Sequence, residues 1–266
     1  MLKTNPYWRA LSLFIGFGFL YLPIVFLVVF SFNESAIMTS WSGFSLKWYK
    51  SLFADQVLLN AAKLSFLIAA MTATASVVIG TWAAYVLSRM GKFRGFTLYA
   101  GLISAPLVIP EVVLGISLLL MFVELSNVIG WPGDNDGIFT IWVGHVVLCV
   151  AYVAVVIQAR IRDFDKSYEE AALDLGATPI KVFFSITLPL IMPALMAAWL
   201  LAFTLSLDDV VIASFLSGPG YTTLPVEVFS RVRLGLKPEI NALATLFIFG
   251  VGLVVIVASR LQKDNS

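Results

Sequence analysis

The sequence predicts an all-α membrane protein with six transmembrane helices and a structured cytoplasmic loop. Three observations carry this. The 266 residues are 60% hydrophobic and only 12% charged, against about 45–50% apolar and about 25% charged in a soluble domain. Runs long enough to cross a bilayer, about 20 residues, recur six times along the chain. Those runs are continuously apolar, without the alternation of barrel strands, and a helix satisfies its own backbone in lipid. The same figures exclude an ordinary soluble enzyme and a disordered chain. A formal net charge of +1 offers no electrostatic footprint for nucleic acid. The single cysteine, Cys149, and the single histidine, His145, exclude a disulfide framework and a Cys- or His-rich metal site.

The first run, 10–32, follows Lys3 and Arg9. It exceeds the apolar region of a signal peptide, about 7–15 residues, and no A-x-A site follows, so it reads as an uncleaved signal anchor. Cleavage would leave five spans. The second run is 64–87. The third, 96–123, is interrupted only by Glu111, with Pro106 and Pro110 just before it. The fourth is 137–159. The fifth, 193–215, contains Asp208 and Asp209, and the sixth is 240–259. Together they form one transmembrane domain over 1–266, with a loop at 160–190 between the fourth and fifth spans.

Lys and Arg in the flanks set the orientation. Lys3, Arg9, Arg89, Lys92, Arg94, Arg160, Arg162, Lys166, Lys181, Arg260 and Lys263 fall on one side, and Lys47, Lys50, Lys63, Arg231, Arg233 and Lys237 on the other. The bias places both termini and the 160–190 loop in the cytoplasm. The loop 125–136, with Asp134 and Asp136 and no Lys or Arg, reads as outside.

The 160–190 loop has its own pattern. Ser167 and Glu170 match a capping box, and Asp165, Glu169 and Glu170 suit a helix N-terminus. Ala171, Ala172, Leu173 and Leu175 continue a short helix with a small apolar face, and Gly176 supplies a left-handed end. Thr178 followed by Pro179 reads as an N-cap and a first-turn proline. The expectation is helix, glycine turn, helix, and a return to the membrane near Pro189.

Glu170-Ala171-Ala172, then Gly176, then Ile186-x-Leu188-Pro189 resembles the EAA loop of ABC importer permeases: E-A-A, three residues, G, nine residues, I-x-L-P. The resemblance implies the type I importer permease (MetI-like) fold. It also implies that this helix docks in a cleft of a cytoplasmic ATPase and transmits its closure, with Glu169, Glu170, Ala171, Ala172 and Gly176 as coupling residues. Leu205–Phe215 followed by Gly218-Pro219-Gly220, the stretch Pro106–Glu111, and Pro238–Ala242 are similar to the polyamine branch of that family. This implies a polyamine substrate, putrescine first, with spermidine or another small solute as the alternative. It implies as partners a second related permease chain (PotH-like or PotB-like), two ATPase subunits and a periplasmic polyamine-binding protein.

The residues point the same way. A carboxylate inside the membrane is expensive and is a functional candidate, so Glu111, Asp208 and Asp209 are candidates for the substrate path. Polyamine ammonium groups titrate near the lysine value of about 10.4 and favour carboxylates and aromatic faces. Two alternatives stay open: the aspartates lie near the outer headgroups, or they pair with Arg231 or Arg233. His145 is expected to hydrogen-bond between helices, and Cys149 to be a packing residue. No Walker A pattern occurs in the chain, so it cannot cradle ATP phosphates itself. ATP and magnesium are expected on the partner ATPase, with no cofactor here. No H-E-x-x-H or G-x-S-x-G pattern supports an intramembrane enzyme, and an autonomous channel would not need the EAA loop.

Overall fold

The computed structural model describes residues 6–37, 40–133, 137–218, 220–235 and 238–263. Lys3, Asp134, Asp136 and Lys237, used above for orientation, lie outside them. The described chain is helical, apart from an isolated antiparallel bridge between Asn33 and Phe44. The helices are α1 (Pro6–Phe30), α2 (Lys47–Ala54), α3 (Gln56–Arg89), α4 (Phe96–Val108), α5 (Glu111–Ile129) and α6 (Gly137–Asp163). Then come α7 (Ser167–Asp174), α8 (Pro179–Val182), a π-turn (Phe183–Thr187), α9 (Leu188–Asp208), α10 (Val211–Leu216), α11 (Leu224–Leu234) and α12 (Pro238–Lys263).

Among the described residues, five stretches are long and apolar enough to cross a membrane: Ala10–Phe30, Gln56–Arg89, Glu111–Ile129, Gly137–Asp163 and Pro179–Asp208. Two shorter apolar helices, Phe96–Val108 and Pro238–Gly250, accompany them. The third predicted run is therefore two helices, not one. Pro110 is the cause: a residue before proline is pushed out of the helical region, and Ile109 sits at φ −73, ψ 128. The fifth predicted run is also broken. Its helix ends at Asp208, Asp209 turns extended (ψ 125), and α10 starts two residues later. No proline acts there. The Asp209 carboxylate instead captures the backbone N–H of Ala213 at 2.8 Å, a local bond of the kind that competes with helix continuation.

The chain forms two compact units, residues 60–227 and residues 1–59 with 228–266. In the 60–227 unit α6 is central. Cys149, Val153, Ile157 and Ile161 of α6 pack with Ala73 and Ala84 of α3 and with Ile191, Leu195, Ala198 and Ala202 of α9. A second cluster joins Ile141 and Leu148 of α6 to Leu114, Leu118 and Phe122 of α5 and to Ile212, Ala213 and Leu216 of α10. Small residues let these backbones approach, as usual between membrane helices. A Cβ on Gly144 would lie 2.4 Å from Leu216 Cδ1 and 2.8 Å from Ile212 Cγ2, and one on Gly80 would lie 2.6 Å from Val153 Cγ1.

In the other unit, the apolar window of α1 has none of its residues buried. The chain after it is tied by Asn33, 1% exposed, whose carbonyl accepts from Trp48 Nε1 at 2.7 Å. Trp48 is thus buried. Arg231 pairs with Asp55 at 2.5 Å and approaches Glu239 at 3.8 Å, while Arg233 lies over the Phe229 ring at 4.3 Å. The Arg231 guanidinium hydrogen bond holds the Asp55 carboxyl below its ordinary value.

Candidate functional site

The loop between α6 and α9 is built much as its sequence suggests, with two differences. The capping box does not form. Lys166 already has helical dihedrals in the N-cap position and no side chain caps α7. The Asp165 carboxylate accepts from the Ser167 backbone N–H at 3.0 Å, which holds its pKa below the ordinary value. Glu170 has no capping duty and is exposed. The second difference is at Pro189, where no break occurs. The chain runs from α8 through the π-turn into α9. A proline ring clashes with the carbonyl four residues earlier, and the wider π-turn, the kind of bulge common at functional positions, stands directly before it.

The C-terminal end of α7 is as expected. Gly176 has φ +86. Its N–H donates to the Leu173 carbonyl at 2.9 Å, and the N–H of Ala177 donates to the Ala172 carbonyl at 3.0 Å. This is the paired arrangement of a Schellman end. A Cβ at Gly176 would meet nothing within 4 Å, so glycine is needed for its backbone and not for space. Thr178 caps α8, its hydroxyl accepting from the Lys181 N–H at 3.4 Å, with Pro179 in the first turn. Tyr168, Leu173, Leu175 and Ile180 are 60%, 44%, 90% and 71% exposed. Four large apolar side chains on so short a loop make a surface suited to a protein partner. Ala171, Glu170 and Gly176 are exposed beside them, and Ala172 is half-buried.

Glu169 faces the other way. It is the buried residue of α7. Its carboxylate lies 2.7 Å from Arg89 Nε at the end of α3 and accepts from Thr187 Oγ1 of the π-turn at 2.5 Å. The Arg89 guanidinium also lies over the Phe164 ring, just past α6, at 4.6 Å. Arg89 enters the sequence reading only as one of the basic residues that set orientation, and Thr187 only as the variable position of I-x-L-P. Their one sequence signal is a cation in the last turn of a long helix.

The three membrane carboxylates separate. Glu111 opens α5 after the Pro110 break and is exposed. Asp208 closes α9 and is exposed. Asp209 is buried, its side chain 5% exposed, with its carboxylate 3.3 Å from His145 Nε2. His145 Nδ1 is 2.7 Å from Ser206 Oγ of α9, so the histidine is bonded between helices, as expected of it. Arg231 has Asp55 as its partner, and Asp209 has His145. Cys149 is buried, with its thiol toward the Ala202 carbonyl at 3.7 Å.

Comparison with known proteins bears on the family and the fold. The pattern of the family described as "Binding-protein-dependent transport system inner membrane component" matches residues 76–263. The putrescine transport system permease protein PotI of Escherichia coli K12 is 59% identical over 262 residues, covering 97% of this chain and 93% of that protein. The spermidine/putrescine transport system permease protein PotC of the same strain is 40% identical, covering 92% of this chain and 89% of that protein. Among solved structures, a bacterial ABC transporter involved in the import of the acidic polysaccharide alginate superposes with a TM-score of 0.75 at 19% identity. The match covers 96% of this chain and 95% of that one. The fold is that of an ABC importer permease.

Proposed function

The chain belongs to the binding-protein-dependent inner-membrane transport family, and we propose that it is a permease subunit of an ATP-driven polyamine importer with putrescine as substrate. One observation carries the reading: 59% identity over 97% of the chain to a putrescine permease. The chain is a multi-pass membrane protein that performs no covalent chemistry. It spans the membrane six times, with both termini and the α7 loop in the cytoplasm. A second, related permease chain completes the path, two ATPase subunits bind ATP and magnesium, and a periplasmic binding protein delivers the polyamine. The exposed side chains of α7 and the turn after it dock on one ATPase, through Glu170, Ala171, Ala172 and Gly176. Closure of the ATPase pair moves α7, and the two permease chains alternate between outward and inward openings. Glu111 and Asp208 are the exposed carboxylates that meet ammonium groups on the way, and Asp209 holds the helix break next to Asp208.

The test is ATP-dependent uptake of labelled putrescine into vesicles holding the complete complex, with spermidine and an unrelated dication as competitors. Uptake blocked by excess spermidine but not by the dication is the expected result. Spermidine uptake without putrescine uptake would assign the chain to the second substrate, a reading that the 40% identity to a spermidine/putrescine permease favours next. No polyamine uptake would reject the substrate class. Reporter fusions at Lys92 and Asp134 test the topology; signals on the same side would overturn it.

A further inference from the structure

α7 has only eight residues, fewer than the roughly 12–15 at which an isolated helix holds together in water. Something outside it must fix its position, and the structure shows what does. Its buried side chain is a carboxylate, Glu169, gripped from two sides. Arg89 closes α3 and reaches one oxygen at 2.7 Å, with both side chains about nine-tenths buried. Thr187 ends the π-turn that leads into α9 and reaches the other oxygen at 2.5 Å. The two holders are themselves joined. Trp82 of α3 stacks on Phe183 of the π-turn with centroids 5.0 Å apart, and Tyr85 meets the same ring edge-on at 5.0 Å. Arg89 also covers Phe164, at the end of α6, at 4.6 Å. The ends of α3, α6 and α9 thus form one aromatic and ionic block, and α7 is pinned to it through one carboxylate.

Two details give the pin its character. Arg89 sits in the last turn of a 34-residue helix, where the dipole favours a cation. Neither its Nε nor its Nη2 makes a hydrogen bond among the described residues, so the guanidinium is held by charge and ring contact, not by a filled hydrogen-bond shell. A cavity of about 240 Å³, lined by Tyr85, Arg89, Lys166, Glu169 and Glu170 among others, lies against the pin. Space beside a buried ion pair lets its members shift as a unit.

We propose that Arg89 and Thr187 are positioning residues that act through Glu169 to convert displacement of α7 into movement of α3 and α9. This rests on the reading of α7 as the ATPase-docking helix. In it Glu169 is not a docking residue: it is the inner end of the lever whose outer face carries Glu170 and Ala171. Without the pin, α7 still docks and ATP is still hydrolysed, but its motion is spent in the loop.

The test uses the whole complex in vesicles with its binding protein. Glu169→Gln removes the ion pair but keeps an acceptor for Thr187. Thr187→Val removes the hydrogen bond at nearly constant shape. The pair Glu169→Gln with Arg89→Gln removes both charges together, so no buried charge is left alone. The readout is polyamine imported per ATP hydrolysed, counted on assembled complex. Stimulated ATP hydrolysis should persist in these variants while imported substrate per ATP falls by roughly three- to thirtyfold, the range for residues along a coupling route. A second readout does not involve the substrate: the distance between spin labels at Lys92→Cys and Ser167→Cys, in a Cys149→Ala background, with and without ATP. In the otherwise native complex the two labels keep a narrow, unchanged separation, and in the pin variants the distribution broadens on ATP binding. Native stoichiometry with native label distances in all variants would overturn the proposal. So would failure of every variant, the neutral pair included, to assemble, since the cluster would then serve folding alone. A native complex that hydrolyses ATP without importing a polyamine would refute the substrate reading, and the label distances would still decide on the pin.

Discussion

Asp209 offers the sharpest separation of a substrate-path role from a structural one. Its carboxylate is nearly sealed from solvent, accepts from the Ala213 N–H at 2.8 Å, and lies 3.3 Å from His145 Nε2. Asp209→Ala strips the acceptor from the start of α10, leaves the Ala213 N–H unpaired, and removes the carboxylate beside His145 Nε2. A hydrogen bond to a charged group contributes about 1.5–3 kcal/mol net, and loss of a helix cap costs about 0.5–2 kcal/mol. These are two views of one contact and do not add, so the expected cost is about 2 kcal/mol, roughly thirtyfold in the folded-to-unfolded ratio. Asp209→Asn keeps an oxygen for Ala213 and loses only the charge. Two quantities decide: the amount of monodisperse complex surviving a temperature series, and putrescine uptake per surviving complex. Asp209→Ala should lower the first and leave the second near native. Asp209→Asn should leave the second near native as well, and Asp208→Asn should lower it. Native stability in Asp209→Ala combined with lost normalised uptake in Asp209→Asn would refute the reasoning and make Asp209 a path residue.

Three further outcomes follow from the geometry. At Gly176, φ +86 with open space around it means that Ala costs about 1–2 kcal/mol while Asn, which tolerates this backbone, costs less; uptake should fall in the order Gly, Asn, Ala, and equal losses would show that contact rather than backbone matters. Gly144→Ala drives a Cβ to 2.4 Å from Leu216 Cδ1 and 2.8 Å from Ile212 Cγ2, an overpacking worth about 1–3 kcal/mol; with Leu216→Ala added, the loss of thermal stability should be smaller than the sum of the two single losses, and simple additivity would count against the clash. At Asp55 the pKa is depressed by Arg231, so the pair stabilises above the ordinary carboxylate value and that contribution is lost as pH falls through the folded value. Asp55→Asn should cost at most about 1 kcal/mol near neutral pH, as partly exposed pairs do, and the gap from the native protein should close below about pH 4 in a denaturation series.

The membrane character and most element positions were legible because apolar runs and helix ends are local properties. Gly176, Thr178 and Pro179 act within one turn, and the structure places each as its chemistry requires. The breaks at Ile109 and Asp209 were less so. Pro106 and Pro110 both stand in the third run, but only Pro110 stops a helix, and Pro106 lies inside α4. The capping box failed because Asp165, two residues earlier, reached the Ser167 N–H first. The inward role of Glu169 was not readable at all. Its partners are 80 residues back and 18 residues ahead, and neither spacing repeats a motif. His145 was legible as a bonded group, since a lone polar residue in a span must find a partner, but Ser206 and Asp209 as the partners required the fold.

The two exposed carboxylates at helix breaks are not equivalent, and the helices themselves rank them. Glu111 lies in the first turn of α5, where the helix dipole favours an anion by about 0.3–1 kcal/mol and orphan backbone donors surround it. Its charge is stabilised by its own helix, so its presence inside an apolar run does not by itself require a cation. Asp208 is the last residue of α9, at the end where the dipole and the free carbonyls oppose a negative charge. The next residue, Asp209, adds a second carboxylate close by. The Asp208 side chain is nonetheless exposed. A cation approaching from outside the helix would offset these effects by a direct interaction. A polyamine carries several ammonium groups at neutral pH and supplies that interaction directly. Asp208→Asn is therefore expected to lower putrescine uptake per complex more than Glu111→Gln does, and equal losses would refute this ranking, while Asp209 keeps the break in shape through Ala213.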